Sequence, residues 1–119
     1  MSRSVRRYGK YTTDEKKALW ANMQDLGAML RAEGYDEVCS GSFRRPGSQN
    51  DPGIHIACGS GSYNEVFFCH HGGDVYFSDG DGKIPYTAFD ILWKIDCSGD
   101  FKEAMTYVEE ELRRRGYEI

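Results

Sequence analysis

The stretch GIHIACGSGSYNEVFFCHHGGD, Gly53 to Asp74, decides the fold class. Ile54 and Ile56 alternate with His55, and Val66 to Cys69 form a short apolar run. Both segments have the length of strands rather than helices. The loop GSGSY between them is made of turn residues, so the two runs are expected to pair as an antiparallel hairpin. Farther on, DVYFS and KI flank DGDG and predict a second hairpin, with Asp79 to Gly82 as its turn rather than a calcium loop.

Outward from this sheet the pattern becomes helical. Residues 12–33 read as one helix, with Thr12 and Glu15 as a capping box and Gly34 as the stop. Leu19, Met23, Leu26, Met29 and Leu30 recur at helical spacing within it. Cys39 to Gly53 reads as a Gly/Ser/Pro-rich loop. Residues 86–95 carry Phe89, Ile91, Leu92, Trp93 and Ile95, apolar on nearly every side, which predicts a buried helix. Residues 101–115 place Phe101, Ala104, Met105, Val108 and Leu112 on one face behind Asp100 and Glu103 at the start. The expected architecture is α+β: an N-terminal helix, a small antiparallel sheet of two hairpins, and two C-terminal helices.

The 119 residues form one expected domain, with residues 1–11 as a flexible basic arm. Hydrophobic residues at 39% and charged residues at 29% support a packed core rather than a disordered chain. No apolar run approaches the roughly 20 residues of a membrane span. MSRSVRRYGK is basic without an apolar stretch behind it, unlike a secretory signal. A cytoplasmic location is therefore expected, with the four cysteines as reduced thiols.

Charge is unevenly distributed. Residues 1–45 hold nine Lys and Arg against six Asp and Glu, a net of +3. Residues 46–100 hold only Lys83 and Lys94 against eight acids, a net of −6. That middle section repels a phosphate backbone and attracts a basic protein. Phosphate contacts would fall to Arg3, Arg6, Arg7, Lys10, Arg44 and Arg45, or to Arg113 to Arg115. Phe43 beside Arg44 and Arg45 offers the best pairing of ring and cation for a single strand. Glu109 to Glu111 with Arg113 to Arg115 reads more simply as a ladder of helix-surface charges.

Cys69, Gly72, Gly73, Asp74, Phe89, Asp90, Phe101, Glu103 and Ala104, together with AFDILWKIDCSGDFKEAMTYVEEEL, resemble the zinc-binding domain of bacterial-type and phage DNA primases. The resemblance covers residues 53–112. It implies a Cys-x-x-His knuckle before the first strand and a Cys-x-x-Cys knuckle after the second. Here the first would fall at Arg44 to Gly47, where no ligand stands, and the second is shortened to Cys69-His70-His71. A structural zinc takes four such ligands, so no cofactor is expected. Were zinc held, Cys39, Cys69, His70 and His71 would be its ligands.

Cys58 and Cys97 read as small core hydrophobes, and His55 as a surface histidine. Cys69 and His70 point to opposite faces of a strand, so catalysis by the pair is not expected. What the residues and the resemblance imply together is a non-enzymatic phage or mobile-element protein. Its acidic face, at Glu65, Asp74, Asp79 and Asp81, would bind a basic protein such as a nucleic-acid-handling or defence complex, as an anti-CRISPR-type inhibitor does. The alternative is a primase-like accessory module that contacts single-stranded DNA or RNA.

Overall fold

The computed structural model describes residues 11–47, 53–59, 61–70, 76–77 and 82–119. Asp74, Asp79, Asp81, His71, Gly72, Gly73 and the basic residues Arg3, Arg6, Arg7 and Lys10 lie outside the described residues. Helix α1 spans Thr13–Ala21 and α2 spans Leu26–Ala32; strands β1 (Asp36–Cys39), β2 (Ser42–Arg44), β3 (Ile54–Cys58) and β4 (Glu65–Cys69) follow. Helix α3 (Ala88–Ile91) continues into a π-helical turn, Leu92–Asp96, and α4 (Phe101–Arg114) closes the order. The four strands form one antiparallel sheet in the order β1-β2-β3-β4. The class is α+β, as expected.

The predicted β3–β4 hairpin is present, with Ile54 opposite Cys69 and Cys58 opposite Glu65. Most of the second predicted hairpin, residues 74–75 and 78–81, lies outside the described residues, and the second hairpin that is described is a different one. It is β1–β2, whose turn and second strand fall in the segment expected to be loop, and it turns at Gly41 with φ +78°. Lys83 and Ile84, expected as a strand, lie outside every strand. Their segment instead runs along the free edge of β4. Gly82 N donates to Cys69 O at 2.7 Å, and Tyr86 and Phe67 exchange both backbone bonds at 2.8 Å. That covers an edge which would otherwise offer open hydrogen-bonding groups.

The expected single helix over 12–33 is two. The capping box at Thr12 and Glu15 starts α1 as predicted. At Asp25 the side chain accepts from Ala28 N at 3.0 Å and caps a new helix, α2. Asp25 competes with the backbone for its own downstream amide, which interrupts one helix and begins the next. Tyr11, placed in the arm by sequence, packs edge-on to Tyr117 at 6.2 Å and belongs to the fold.

The core lies between the inner face of the sheet and the helices. Phe43, Phe67, Phe77, Phe89, Leu30, Ile54, Ile91 and Leu112 are fully buried. Phe67 meets Phe77 edge-on at 5.0 Å and Tyr86 at 5.5 Å. The 86–95 segment is buried at Phe89, Ile91 and Leu92, whereas Trp93 and Ile95 are only partly covered. Helix α4 lays Ala104, Met105, Val108 and Leu112 onto this core, as its spacing predicted, whereas Phe101, expected on the same face, is exposed at the helix start with its ring edge-on to Phe89 and Trp93. It also meets α1 through Trp20 and Tyr107 and through Lys16 Nζ to Glu109 Oε2 at 2.7 Å. Glu109 is thus spent on α1 rather than on the expected charge ladder, of which Arg114 with Glu111 forms one rung.

Candidate functional site: an acidic groove beside the first helix

The β3–β4 turn is fastened to α1 by one side chain. Asn22 Nδ2 donates to Ser62 O at 2.7 Å, and Asn22 Oδ1 accepts from Asn64 N at 2.9 Å. Helix and turn are drawn together but do not fill the space between them. Three hollows of about 500, 210 and 120 Å³ follow one another along α1. The first two share Glu15 and Ser62, and the third adjoins them at Asn22, whose side chain bridges to the turn; the three together are called the groove.

Its walls are acidic. Asp14 and Glu15 come from the first turn of α1, Asp90 from α3, and Glu65 from the start of β4. Lys17 is the only cation among the lining residues, and it is engaged: its Nζ lies 4.0 Å from Asp14 and over the rings of Phe89 and Phe101. Asp90 Oδ2 accepts from Thr87 N at 2.7 Å and from Thr87 Oγ1 at 3.3 Å, which starts α3. Burial raises the Asp90 carboxyl above the ordinary range, against the Thr87 hydrogen bonds and the charges of Lys17 and Lys94, which lower it. The phenol of Tyr63 reports the same field: burial raises it first, and the carboxylates of Asp90 and Asp14 raise it further.

Of the residues singled out from sequence, Glu65 is exposed and lines this groove. Asp74, Asp79 and Asp81 lie outside the described residues. Asp14, Glu15 and Asp90 were not foreseen as groove residues: Glu15 was read as a capping-box acid, and Asp90 sat inside the expected 86–95 helix. The signal was the repeat of one pattern, Thr12-x-x-Glu15 and Thr87-x-x-Asp90. Two helix starts face one turn, and both bring an acid with them.

The nucleic-acid candidates fare differently. Phe43 is fully buried in the core and cannot stack on a base without leaving it. Alternation along β2 demanded this, since its neighbours Ser42 and Arg44 take the outer face. Arg44 is half-buried, with its Nε covered and without a hydrogen-bond partner among the described residues. Arg45 is half-buried as well.

The knuckle residues are also separated. Cys69 is buried and His70 exposed, on opposite faces of the sheet. Cys39 is exposed on β1, two strands from β3. Among the described residues no three His, Cys, Asp or Glu side chains converge to hold a metal ion, so Cys39, Cys69 and His70 are not a ligand set. Cys97 is buried as predicted, and burial together with nearby carboxylates pushes its thiol up. Cys58 is exposed at the end of β3, not in the core, because the strand stops there. His55 is half-buried, and its Nδ1 lies 3.0 Å from Ser42 Oγ.

No protein-family model, curated protein or solved structure matches this chain. Among the described residues no helix is long and apolar enough to cross a membrane.

Proposed function

We propose that this protein acts by binding rather than by catalysis, and that its groove beside α1 receives a basic segment of a protein partner. The observation that carries the reading is that Asp14, Glu15, Glu65 and Asp90 line adjoining hollows beside α1, where the one lysine among the described lining residues, Lys17, is already engaged. The sequence has the same sign here: residues 46–100 carry a net charge of −6, counting Glu65 and Asp90 together with Asp74, Asp79 and Asp81. A surface of one sign steers an oppositely charged partner and fixes its register. Proteins that handle nucleic acid present such basic segments, and a phage or mobile-element inhibitor of one is the reading we favour.

The test uses an Arg/Lys-rich peptide as probe, titrated into the full chain at low and high salt. Binding should weaken as salt rises. The double variant Asp14→Lys with Glu65→Lys should weaken it roughly tenfold or more, since both residues are exposed and close charge pairs couple by over 1 kcal/mol. Equal binding by the variant, or tight salt-resistant binding to single-stranded DNA or RNA instead, overturns the proposal.

A further inference from the structure

The outer face of the sheet carries two histidines on neighbouring strands. His55 lies opposite Phe68 in the β3–β4 register, so His70, two residues on, is its diagonal neighbour. Their ring centroids are 5.5 Å apart, with the planes at 61°. We propose that His55 and His70 together form a two-histidine site for a zinc-class divalent cation, with water completing the coordination.

The separation fits that chemistry. A Zn–N bond of about 2.0–2.1 Å places the metal roughly 3.2 Å from the centre of each imidazole ring. Two ring centres 5.5 Å apart then subtend about 120° at the metal, close to the tetrahedral arrangement zinc adopts. Imidazole suits zinc and its neighbours among the divalent metals, and two rings leave open positions.

In each ring the Nδ1 edge faces a neighbouring part of the protein, so Nε2 is the nitrogen assigned to the metal. In His55, Nδ1 lies 3.0 Å from Ser42 Oγ; with a metal on Nε2 the ring proton would sit on Nδ1 and be donated to that oxygen. In His70 the same edge faces Gly82, whose backbone approaches so closely that a Cβ there would collide with the ring. Gly82 takes φ +74° and donates its amide to Cys69 O at 2.7 Å, so it is itself anchored. His70 is exposed and His55 half-buried, so the site is reachable from solvent. Cys69 faces the core and takes no part. Arg44 shares the outer face, but Asp36 stands opposite it in the β1–β2 register and offsets its charge.

Zinc chloride titrated calorimetrically into the full chain should fill one site. His55→Ala and His70→Ala should each weaken that site by roughly tenfold or more, with unchanged circular dichroism. Ser42→Ala should weaken it by about tenfold, the lower end for a residue that orients a ligand. Cobalt(II) should give the visible bands of tetrahedral nitrogen and oxygen coordination. Zinc affinity unchanged in either histidine variant, no saturable binding at all, or a thiolate charge-transfer band from cobalt would each overturn the site.

Discussion

The two faces of the sheet are built from alternate residues of the same short strands, yet they do different work. Inward, Phe43, Ile54, Phe67 and Cys69 are almost wholly removed from water. Outward, Ser42, Arg44, His55, Phe68 and His70 are half-buried or exposed, and most are polar. A strand shifted by one residue would exchange the two sets, so the inner face fixes the register. Once register is fixed, the outer residues are positioned relative to one another without contributing much to folding. Rings can then be set at a metal-binding distance by a core they do not belong to.

The comparison breaks most readily at Phe67. Its ring contacts both Phe77 and Tyr86, and its backbone carries the bridge that covers the β4 edge. Phe67→Ala should cost about 3–5 kcal/mol, read as a loss in chemical denaturation. Phe68→Ala, one residue away on the half-buried face, should cost roughly half as much or less. Equal losses at the two positions would mean that the outer face is also packed against structure and that the contrast is false.

How much of this was legible follows from the same contrast. Strand β3 and α4 could be read because one side of each is apolar and the other is not, at period 2 and period 3.6, and β4 because its residues 66–69 form a short continuous apolar run. Strand β1 has all four residues exposed, so its pattern carries no burial signal, and β2 contributes only Phe43. Strand β2 and the turn before it were accordingly read as loop, and residues 36–38 were assigned to no element. The break at Asp25 was hidden because an N-cap acid looks like any surface residue within a continuous helical period. Glu65 was readable as an exposed carboxylate, but its assembly with Asp14, Glu15 and Asp90 depends on a tertiary contact. Asn22, which makes that contact, announces nothing in sequence. His55 and His70 were each visible; their pairing was not.

The groove depends on that asparagine. Asn22→Ala removes both bonds to the β3–β4 turn, and should cost about 1–2 kcal/mol in the same denaturation measurement. The peptide probe should also bind more weakly, because the turn is no longer held opposite Asp14. A variant of unchanged stability and unchanged peptide affinity would show that the turn is placed by β3 and β4 alone.

A smaller effect, in pH dependence, comes from the margin of the core, where α2 ends. The Glu33 carboxyl is raised from 4.5 to about 7, by burial first, then by a hydrogen bond with Asp96 and by its charge. A raised acid binds its proton more tightly in the folded chain than in the unfolded one. Stability is therefore greatest below about 4.5, falls as pH rises from there through about 7, and is level above. Glu33 is partly exposed, so water screens the pair and the loss should be about 1 kcal/mol. Melting curves of Glu33→Gln should lose this slope, and a slope of the same size in that variant would assign the effect to other carboxylates.

The smallest expected effect is the sharpest test of the difference between the faces. His55 is half-buried, and its one side-chain hydrogen bond among the described residues is to Ser42, which is itself partly open to water. Truncation to Ala frees a hydroxyl that solvent can satisfy and leaves the core side of β3, Ile54 and Ile56, untouched. Surface changes of this kind usually alter stability by no more than about 0.5 kcal/mol. Metal-free His55→Ala should accordingly unfold at nearly the same denaturant concentration as the parent chain. The His55–His70 ring contact is an edge-on pair of the sort worth about 0.5–1.5 kcal/mol when buried, and less where water reaches it. A loss well above 1 kcal/mol without metal would therefore make the two rings a packing contact, and would return the outer face to the business of holding the fold together.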